Sequence, residues 1–112
     1  MPHVTIELSP ACAADPQALC DRVFDALAAH PATGDARNLK IRAYVPVAER
    51  IGSGASFAHA MLGLIAGRSE AQSADMARCV LEALAAALPD RTAITVDTYD
   101  FSPALARRAP QL

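Results

Sequence analysis

The 112-residue sequence contains no tryptophan and few other aromatic side chains, with two tyrosines and three phenylalanines. Much of its apolar composition is instead alanine, which occupies 26 of the 112 positions. A chain of this length forms one domain with a limited buried surface, and alanine adds little to a core. We therefore predict a single domain over residues 1–112 that buries part of its apolar surface between subunits of a homo-oligomer.

Other features that the chain lacks exclude further classes of protein. No apolar run approaches the roughly 20 residues needed to span a bilayer, and the first residues do not have the pattern of a signal peptide. Ten basic against twelve acidic residues give a net charge of −2, with no basic stripe for nucleic acid. The three cysteines fit no CxxC pattern, which favours reduced thiols. We expect a cytoplasmic protein with neither a membrane nor a nucleic-acid partner.

The first half of the chain has the pattern of a β-α-β unit. Val4, Ile6 and Leu8 alternate with polar residues, as in a strand. Asp15 and Pro16 have the residue types of an N-cap and a first helical position. The apolar stripe of this helix is predicted to contain Leu19, Val23 and Leu27. A second strand is predicted over residues 38–45, with Lys40, Arg42 and Tyr44 on one face.

The second half repeats this order. Residues 56–65 are nearly all apolar, which is typical of a strand buried on both faces or lying at a subunit contact. Ser69 with Gln72 three residues later is a capping-box pattern. The helix that follows is predicted to bury Ala77, Val80, Leu81, Leu84 and Leu88. A fourth strand is predicted over residues 92–101, and residues 102–112 are predicted to be a tail.

Two α+β folds share this order of elements, with halves of about 1–46 and 56–101. One is the ferredoxin-like fold, whose sheet is built from split β-α-β units. The other pairs the strands of each unit in parallel and relates the halves by a pseudo-two-fold axis, with right-handed crossovers. Periodicity alone does not choose between them.

Pro2 is the first residue with possible chemistry. An initiator methionine before a small residue such as proline is usually removed, which would leave a free prolyl amine at the start of a strand. An α-amino group has a reference pKa of about 7.7–8.0, and a nearby cation lowers the pKa of an amine. Such an amine suits a general base near neutral pH. A proline at a strand start also has a purely structural interpretation.

Two arginines are candidates for binding an anionic substrate. Arg68 precedes the N-cap of the second helix, where free N–H groups and the helix dipole attract a carboxylate. Arg42 lies in the middle of a strand and has either a substrate carboxylate or an acidic side chain such as Glu7 or Asp97 as its partner. His59 is interpreted as a satisfied core or interface histidine.

The histidines and cysteines do not have the spacing of metal ligands, so we predict no metal site. The sequence also has no P-loop, no GxGxxG motif and no Ser-His-Asp elbow.

Three segments together resemble the 5-carboxymethyl-2-hydroxymuconate isomerases of the tautomerase superfamily. They are Met1-Pro2-His3, Ile41-Arg42, and Phe57-x-His59 leading to Ala66-Gly67-Arg68-Ser69. The segments occur in the family's order, and the resemblance runs from residue 1 to about 101. It implies the duplicated parallel β-α-β fold, a sheet with two helices on one face, and a homotrimer.

The resemblance also implies an activity that needs no cofactor. In the family reaction, part of aromatic-compound catabolism, a proton moves along a dienol carboxylate to give an unsaturated ketone. By resemblance, Pro2 and Arg42 are the catalytic residues, while Arg68, Tyr44 and His3 bind the small-molecule substrate. Family members tend to carry a second arginine where this chain has Tyr44, so a smaller or less charged enol acid is also a reasonable substrate.

Two further hypotheses remain open at this stage. One is a non-catalytic, oligomeric anion-binding module with the same fold. The other is a ferredoxin-like dimer with a regulatory role.

Overall fold

The structure is a computed structural model and describes residues 2–102. It contains four strands and two long helices, together with two short 3-10 helices at Pro10–Cys12 and Ala36–Asn38. The strands and long helices in chain order are β1 His3–Leu8, α1 Pro16–Ala28, β2 Lys40–Tyr44, β3 Phe57–Ile65, α2 Glu70–Ala87 and β4 Ala93–Phe101.

The four strands form one mixed sheet in the order β2-β1-β3-β4. The strands of each β-α-β unit are direct parallel neighbours, and the units join through the antiparallel pair of β1 and β3. In a ferredoxin-like fold, by contrast, the two strands of each unit are separated by another strand. The parallel duplication that the resemblance implied is therefore confirmed, and the ferredoxin-like alternative is wrong.

The two halves are related by an approximate two-fold axis through the centre of the sheet. Ile6 lies opposite Ala60 there, in the middle of the antiparallel pair. The start of each unit is closed in the same way, because the Lys40 N–H donates to the Pro2 carbonyl at 3.2 Å and the Ala93 N–H donates to the Ser56 carbonyl at 2.9 Å. Pro2 and Ser56 thus occupy equivalent positions in the two units.

Both long helices begin where the sequence predicts. The Asp15 carboxylate accepts a hydrogen bond from the Ala18 N–H at 3.0 Å, and Pro16 is the first residue of α1. Ser69 and Gln72 form the complete capping box, with bonds of 3.1 and 2.9 Å in the two directions. These bonds satisfy backbone donors that have no partner within the first helical turn.

The core lies between the sheet and the helices, which cover the same face of the sheet. Strand residues at alternating positions and one stripe of each helix supply it: Val4, Ile6, Leu8, Leu39, Ala58, Ala60, Leu62, Leu64, Leu19, Val23, Leu27, Met76, Val80 and Leu84. The predicted stripe of α1 is confirmed in full.

The predicted stripe of α2 is confirmed only in part, because Val80 and Leu84 are fully buried, Ala77 and Leu88 are half-buried, and Leu81 is exposed. Leu81 was expected to be buried, but its exposed fraction is 38%, whereas Met76 is fully buried. Met76, Val80 and Leu84 are spaced by four residues and face the sheet together, and Leu81 lies about 100° around the helix from Val80.

The opposite face of the sheet, called the open face below, is not covered by any described element. Its three central cross-strand rows are Lys40–His3–Gly63–Tyr99, Arg42–Thr5–Met61–Asp97 and Tyr44–Glu7–His59–Thr95. Met61 in the middle of this face has an exposed fraction of 39%. The expectation that residues 56–65 are buried on both faces is therefore wrong for the single chain, because only the helix-covered face of β3 is closed. A subunit contact on the open face stays a prediction.

Within residues 2–102, no helix is both long enough and apolar enough to cross a membrane. The predicted removal of Met1 lies outside the described residues, as does the predicted tail 102–112 apart from Ser102.

Candidate active site

Pro2 is held at the very start of β1. Its carbonyl accepts the Lys40 N–H at 3.2 Å, which joins it to the first residue of β2. Its side chain is fully buried. Alternation along the strand places it on the same side as Val4, the side that the helices cover. The prolyl ring is therefore packed inside the protein, directly before the first residue of β1.

Two cations lie near the start of β1, on the open face of the sheet. His3 is the cross-strand partner of Lys40, and Arg42 follows two residues along β2 on the same face. Burial lowers the pKa of His3, and the positive charges of Lys40 and Arg42 lower it further. The lowered pKa favours neutral His3 at pH 7, and the positive charges beside it are those of Lys40 and Arg42.

Aromatic side chains border the same end of the sheet from the other side. The rings of His3 and Phe101 meet edge to face at 6.2 Å, and those of Tyr99 and Phe101 meet in the same way at 5.1 Å. Gly63 makes this possible, because a Cβ there would lie 2.8 Å from the Tyr99 ring and 3.0 Å from Phe101. The aromatic rings thus fill the space that a side chain at position 63 would need.

Arg68 is held by backbone oxygens. Its guanidinium donates to the carbonyl of Ala32 at 2.9 Å, of Ile65 at 3.2 Å and of Thr33 at 3.4 Å. It thereby ties the loop after α1 to the end of β3. A guanidinium has more N–H groups than these three bonds use, so donors remain for another partner.

The surroundings of Arg68 are mixed in charge. It lines a cleft of about 650 Å³ between α2 and β4, and the same cleft is lined by Glu70, Asp97 and Asp100. These carboxylates weaken the attraction of the cleft for an anion. Ser69 also caps the N-terminus of α2, so its side chain already occupies a backbone N–H group there. The geometry therefore gives Arg68 a clear structural role, whatever else it binds.

The predicted site residues are brought together only in part. His3 and Arg42 lie on the open face near the start of β1 and β2, and Pro2 precedes His3 with its ring on the helix-covered side. Arg68 lies at the same end of the sheet, because Ile65 follows Gly63, the partner of His3. Tyr44 lies toward the other end, opposite Glu7, with an exposed fraction of 53%.

The acidic partners considered for Arg42 lie elsewhere. Arg42 forms no ion pair with any other residue in the range 2–102. Of its two candidate partners, Asp97 lies 3.5 Å from the Nε2 of His59 instead. The His59 Nδ1 shares a hydrogen bond with the Thr95 hydroxyl. The interpretation of His59 as a satisfied histidine is therefore confirmed. In the described part of the chain, no group of three His, Cys, Asp or Glu side chains is arranged to hold a metal ion.

Sequence reasoning missed three members of this end of the sheet. Lys40, Tyr99 and Phe101 are ordinary strand residues in the sequence, and no motif distinguishes them. The register of the sheet identifies them, because it places Lys40 opposite His3 and Tyr99 opposite Gly63.

No family model matches the chain, and no curated protein is similar to it in sequence. Solved structures do share its fold. A 5-carboxymethyl-2-hydroxymuconate delta-isomerase has a TM-score of 0.80 and 22% identity, over 98% of this chain and 87% of the other. A 5-carboxymethyl-2-hydroxymuconate isomerase from Deinococcus radiodurans R1 has a TM-score of 0.81 and 23% identity, over 96% and 88%.

A structure described as a fused 4-OT wild-type symmetric trimer is also similar. Its TM-score is 0.77 and its identity 18%, over 98% of this chain and 94% of the other. Alignments that span nearly all of both chains compare whole folds rather than a shared fragment. The chain therefore has the fold of these 5-carboxymethyl-2-hydroxymuconate isomerases and of the fused 4-OT trimer.

Proposed function

We propose that the chain is a cofactor-independent isomerase that interconverts keto and enol forms of an enolic carboxylate. 5-Carboxymethyl-2-hydroxymuconate is the example that the family resemblance suggests, and aromatic-compound catabolism in the cytoplasm is the setting. One observation carries the proposal. The hydrogen bond from the Lys40 N–H to the Pro2 carbonyl supports it, because it joins Pro2 directly to β2, the strand that carries the cations Lys40 and Arg42.

The chemistry follows from that placement. Positive charges near an amine disfavour its protonated form, so a free Pro2 amine beside Lys40 and Arg42 is suited to accept a proton at neutral pH. Pro2 takes the proton of the 2-hydroxyl group, and the electron pairs shift along the conjugated chain. Pro2 then returns a proton to the distant carbon, so that the product is an isomer of the substrate.

The cations stabilise the charge that develops during this transfer. Arg42 holds a carboxylate of the substrate and polarises the forming oxo group. His3 and Tyr44 contact the substrate from the same face of the sheet. Arg68 positions the neighbouring loop, and its remaining N–H groups provide a further contact.

A homotrimer completes the proposal. The two outer strands carry opposite charges on their side chains, with Lys40 and Arg42 on β2 and Asp97 and Asp100 on β4. Opposite charges at the two sides of the sheet favour a head-to-tail contact between copies through the open face, and such a contact forms a ring where its rotation closes. The fused 4-OT structure with the same fold is described as a symmetric trimer.

The test is ketonisation of a 2-hydroxymuconate-type dienol, followed by ultraviolet absorbance. The sample is protein whose intact mass shows that Pro2 is the first residue. We expect Pro2→Ala and Arg42→Ala each to lower kcat/KM by a factor of about 10² or more, the range for losing a general base or an electrostatic contact. The circular dichroism spectrum and the mass of the assembly should not change.

Labelling gives an independent readout. A structure with the same fold is described as inactivated by 2-oxo-3-pentynoate, an electrophile that reacts with neutral amines. If Pro2 is the base, this compound adds to the Pro2 nitrogen, and peptide mapping locates the adduct there. Full turnover by Pro2→Ala, or no turnover by the wild type on several enol acids, would support the non-catalytic anion-binding module instead.

A further inference from the structure

The turn after α1 provides two of the three carbonyls that hold Arg68. The Thr33 N–H donates to the His30 carbonyl at 3.1 Å, which closes a β-turn of four residues. Pro31 takes the second position, for which its fixed φ angle is suited. The carbonyls of Ala32 and Thr33 accept hydrogen bonds from Arg68 at 2.9 and 3.4 Å. The position of the guanidinium therefore depends on the conformation of this turn.

The side chain of His30 holds the turn from inside the protein. Its Nδ1 accepts a hydrogen bond from the Ala32 N–H at 3.1 Å, and the exposed fraction of the side chain is 10%. Asp and Asn often make the equivalent bond from the first position of a turn. The Thr33 hydroxyl gives no such support, since it is buried without a hydrogen-bond partner among the residues that the structure describes. Because the N–H and the carbonyl of Ala32 flank one Cα, the bond to Nδ1 also restricts the direction of the carbonyl that Arg68 uses.

The hydrogen bonds also assign the proton of the His30 ring. A backbone N–H can only donate, so Nδ1 is the acceptor and the ring proton lies on Nε2. The Nε2–H donates to the Asp75 carboxylate at 2.7 Å. Hydrogen bonds from Arg78 and His30 lower the pKa of Asp75, which keeps this acceptor ionised at neutral pH. Asp75 therefore fixes both the tautomer and the orientation of the imidazole.

Arg68 keeps two N–H groups for another partner. A guanidinium has five N–H groups, and three of them, one each on Nε, Nη1 and Nη2, donate to the backbone carbonyls. One N–H therefore remains on each of Nη1 and Nη2, and such a pair suits a carboxylate. The three carbonyls set the direction of this pair, and two of the three belong to the turn.

We propose that His30 is a positioning residue that acts on the substrate through Arg68. Asp75 orients His30, His30 fixes the turn, and the carbonyls of the turn direct the remaining N–H groups of Arg68 toward the substrate. The proposal rests on the proposed isomerase, in which those N–H groups contact the enol carboxylate. This role is separate from the joining of α1 and α2, because it depends on Nδ1 and the turn rather than on the bond from Nε2 to Asp75.

The experiment compares two substitutions that each keep one of the two contacts of the ring. His30→Asn places an amide oxygen near the position of Nδ1, so it keeps an acceptor for the Ala32 N–H but does not reach Asp75. His30→Gln reaches Asp75 but has no acceptor at the position of Nδ1. For His30→Gln we expect the KM for a 2-hydroxymuconate-type dienol to rise about threefold to tenfold, the range for one hydrogen bond. Its kcat, and both constants of His30→Asn, should stay within about twofold of the wild type.

A double substitution tests whether the effect passes through Arg68. In an Arg68→Met background, His30→Gln should change KM by less than about twofold, because the residue through which His30 acts is absent. Urea unfolding shows that each variant is folded. A role confined to joining the helices predicts the opposite order, with His30→Asn impaired and His30→Gln normal. That order, normal KM in both single variants, or an equal effect of His30→Gln with and without Arg68 would overturn the proposal.

A measurement without substrate separates this role from the proposed function. The Nε–H of Arg68, observed in a nitrogen–proton NMR correlation spectrum, reports its hydrogen bond to the Ala32 carbonyl. We expect it to exchange with solvent about threefold faster or more in His30→Gln and at the wild-type rate in His30→Asn. Faster exchange in His30→Gln, in a protein that turns over no enol, would retain His30 as the support of Arg68 and reject the isomerase. Loss of turnover in Pro2→Ala, with exchange and KM unchanged in His30→Gln, would retain the isomerase and reject this role of His30.

Discussion

At the scale of single residues, the role that the sequence predicts for Arg68 differs from the contacts that Arg68 makes in the structure. Its place before the N-cap of α2 predicts an anion-binding group, yet its guanidinium donates to three backbone carbonyls and it shares a cleft with three carboxylates. A substrate contact alone would leave stability unchanged on substitution. If the three hydrogen bonds to the backbone act as a structural clamp, substitution of Arg68 lowers the stability.

We expect Arg68→Met to lower the free energy of unfolding by about 1.5–3 kcal/mol, because partly buried carbonyls lose charged donors. Urea unfolding measures this value. Arg22→Met is the matched control and should stay within about 0.5 kcal/mol of the wild type, as exposed substitutions usually do. If Arg68→Met is as stable as Arg22→Met, the clamp is not a stabilising feature and Arg68 acts on ligands alone.

Single-residue roles could be predicted from the sequence only where a motif carried them. Pro2 and Arg42 were identified because they occur in segments that resemble a family. Lys40, Tyr99 and Phe101 lie in no such segment, because their positions beside His3 and Gly63 depend on which strands are neighbours. That information comes from the sheet register, which the pairing of distant segments determines.

At the scale of elements, the two helices are joined by one charged group. The Asp75 carboxylate on α2 lies 2.7 Å from the Nε2 of His30, just after α1, and also accepts hydrogen bonds from Arg78. The hydrogen bond from Arg78, followed by that from His30, lowers the pKa of Asp75 below its usual 3.8.

This shift predicts a dependence of stability on pH. A carboxyl whose pKa is lower in the folded state stabilises the fold above the unfolded pKa and loses that contribution as the pH falls through the folded value. We expect Asp75→Asn to be less stable than the wild type at pH 7, with the difference shrinking below about pH 4. The effect is modest because Asp75 is half exposed and solvent screens the interaction.

Urea unfolding at pH 7 and pH 3 checks the prediction. Glu82→Gln is a useful comparison, because Glu82 also binds Arg78 but does not reach α1. A constant difference between Asp75→Asn and the wild type at both pH values would show that the carboxylate charge is not what stabilises the helix pair.

The sequence predicts the positions of the helices and strands better than it predicts how they pack against each other. The N-caps at Asp15 and Ser69 depend on local hydrogen bonds, which short motifs specify. The burial of Met76 rather than Leu81 depends on how α2 is rotated against the sheet. The choice between the two β-α-β arrangements also depends on contacts between halves, so periodicity left it open and only the family resemblance indicated it.

At the scale of the whole molecule, the open face of the sheet is the feature that a single chain leaves unexplained. Met61 is partly exposed at its centre, in the row between Arg42 and Asp97. If this face is the contact of the proposed trimer, a charge at Met61 would be buried without a partner, which is costly.

We therefore expect Met61→Asp to dissociate the assembly. Sedimentation velocity should show a trimer for the wild type and a smaller species for the variant. Val47→Asp is the control, because Val47 is fully exposed in the segment between β2 and β3 and lies off the sheet. A trimer that survives Met61→Asp would place the subunit contact on another surface.

The central claim is that the nitrogen of Pro2 is the base. The most direct measurement compares turnover of a 2-hydroxymuconate-type dienol by two proteins of confirmed intact mass. One begins at Pro2, and the other carries a single lysine inserted between Met1 and Pro2, which retains the methionine and leaves the prolyl nitrogen in a peptide bond. The account predicts fast ketonisation by the first and a loss of about a hundredfold or more in the second. Equal turnover by both would contradict it.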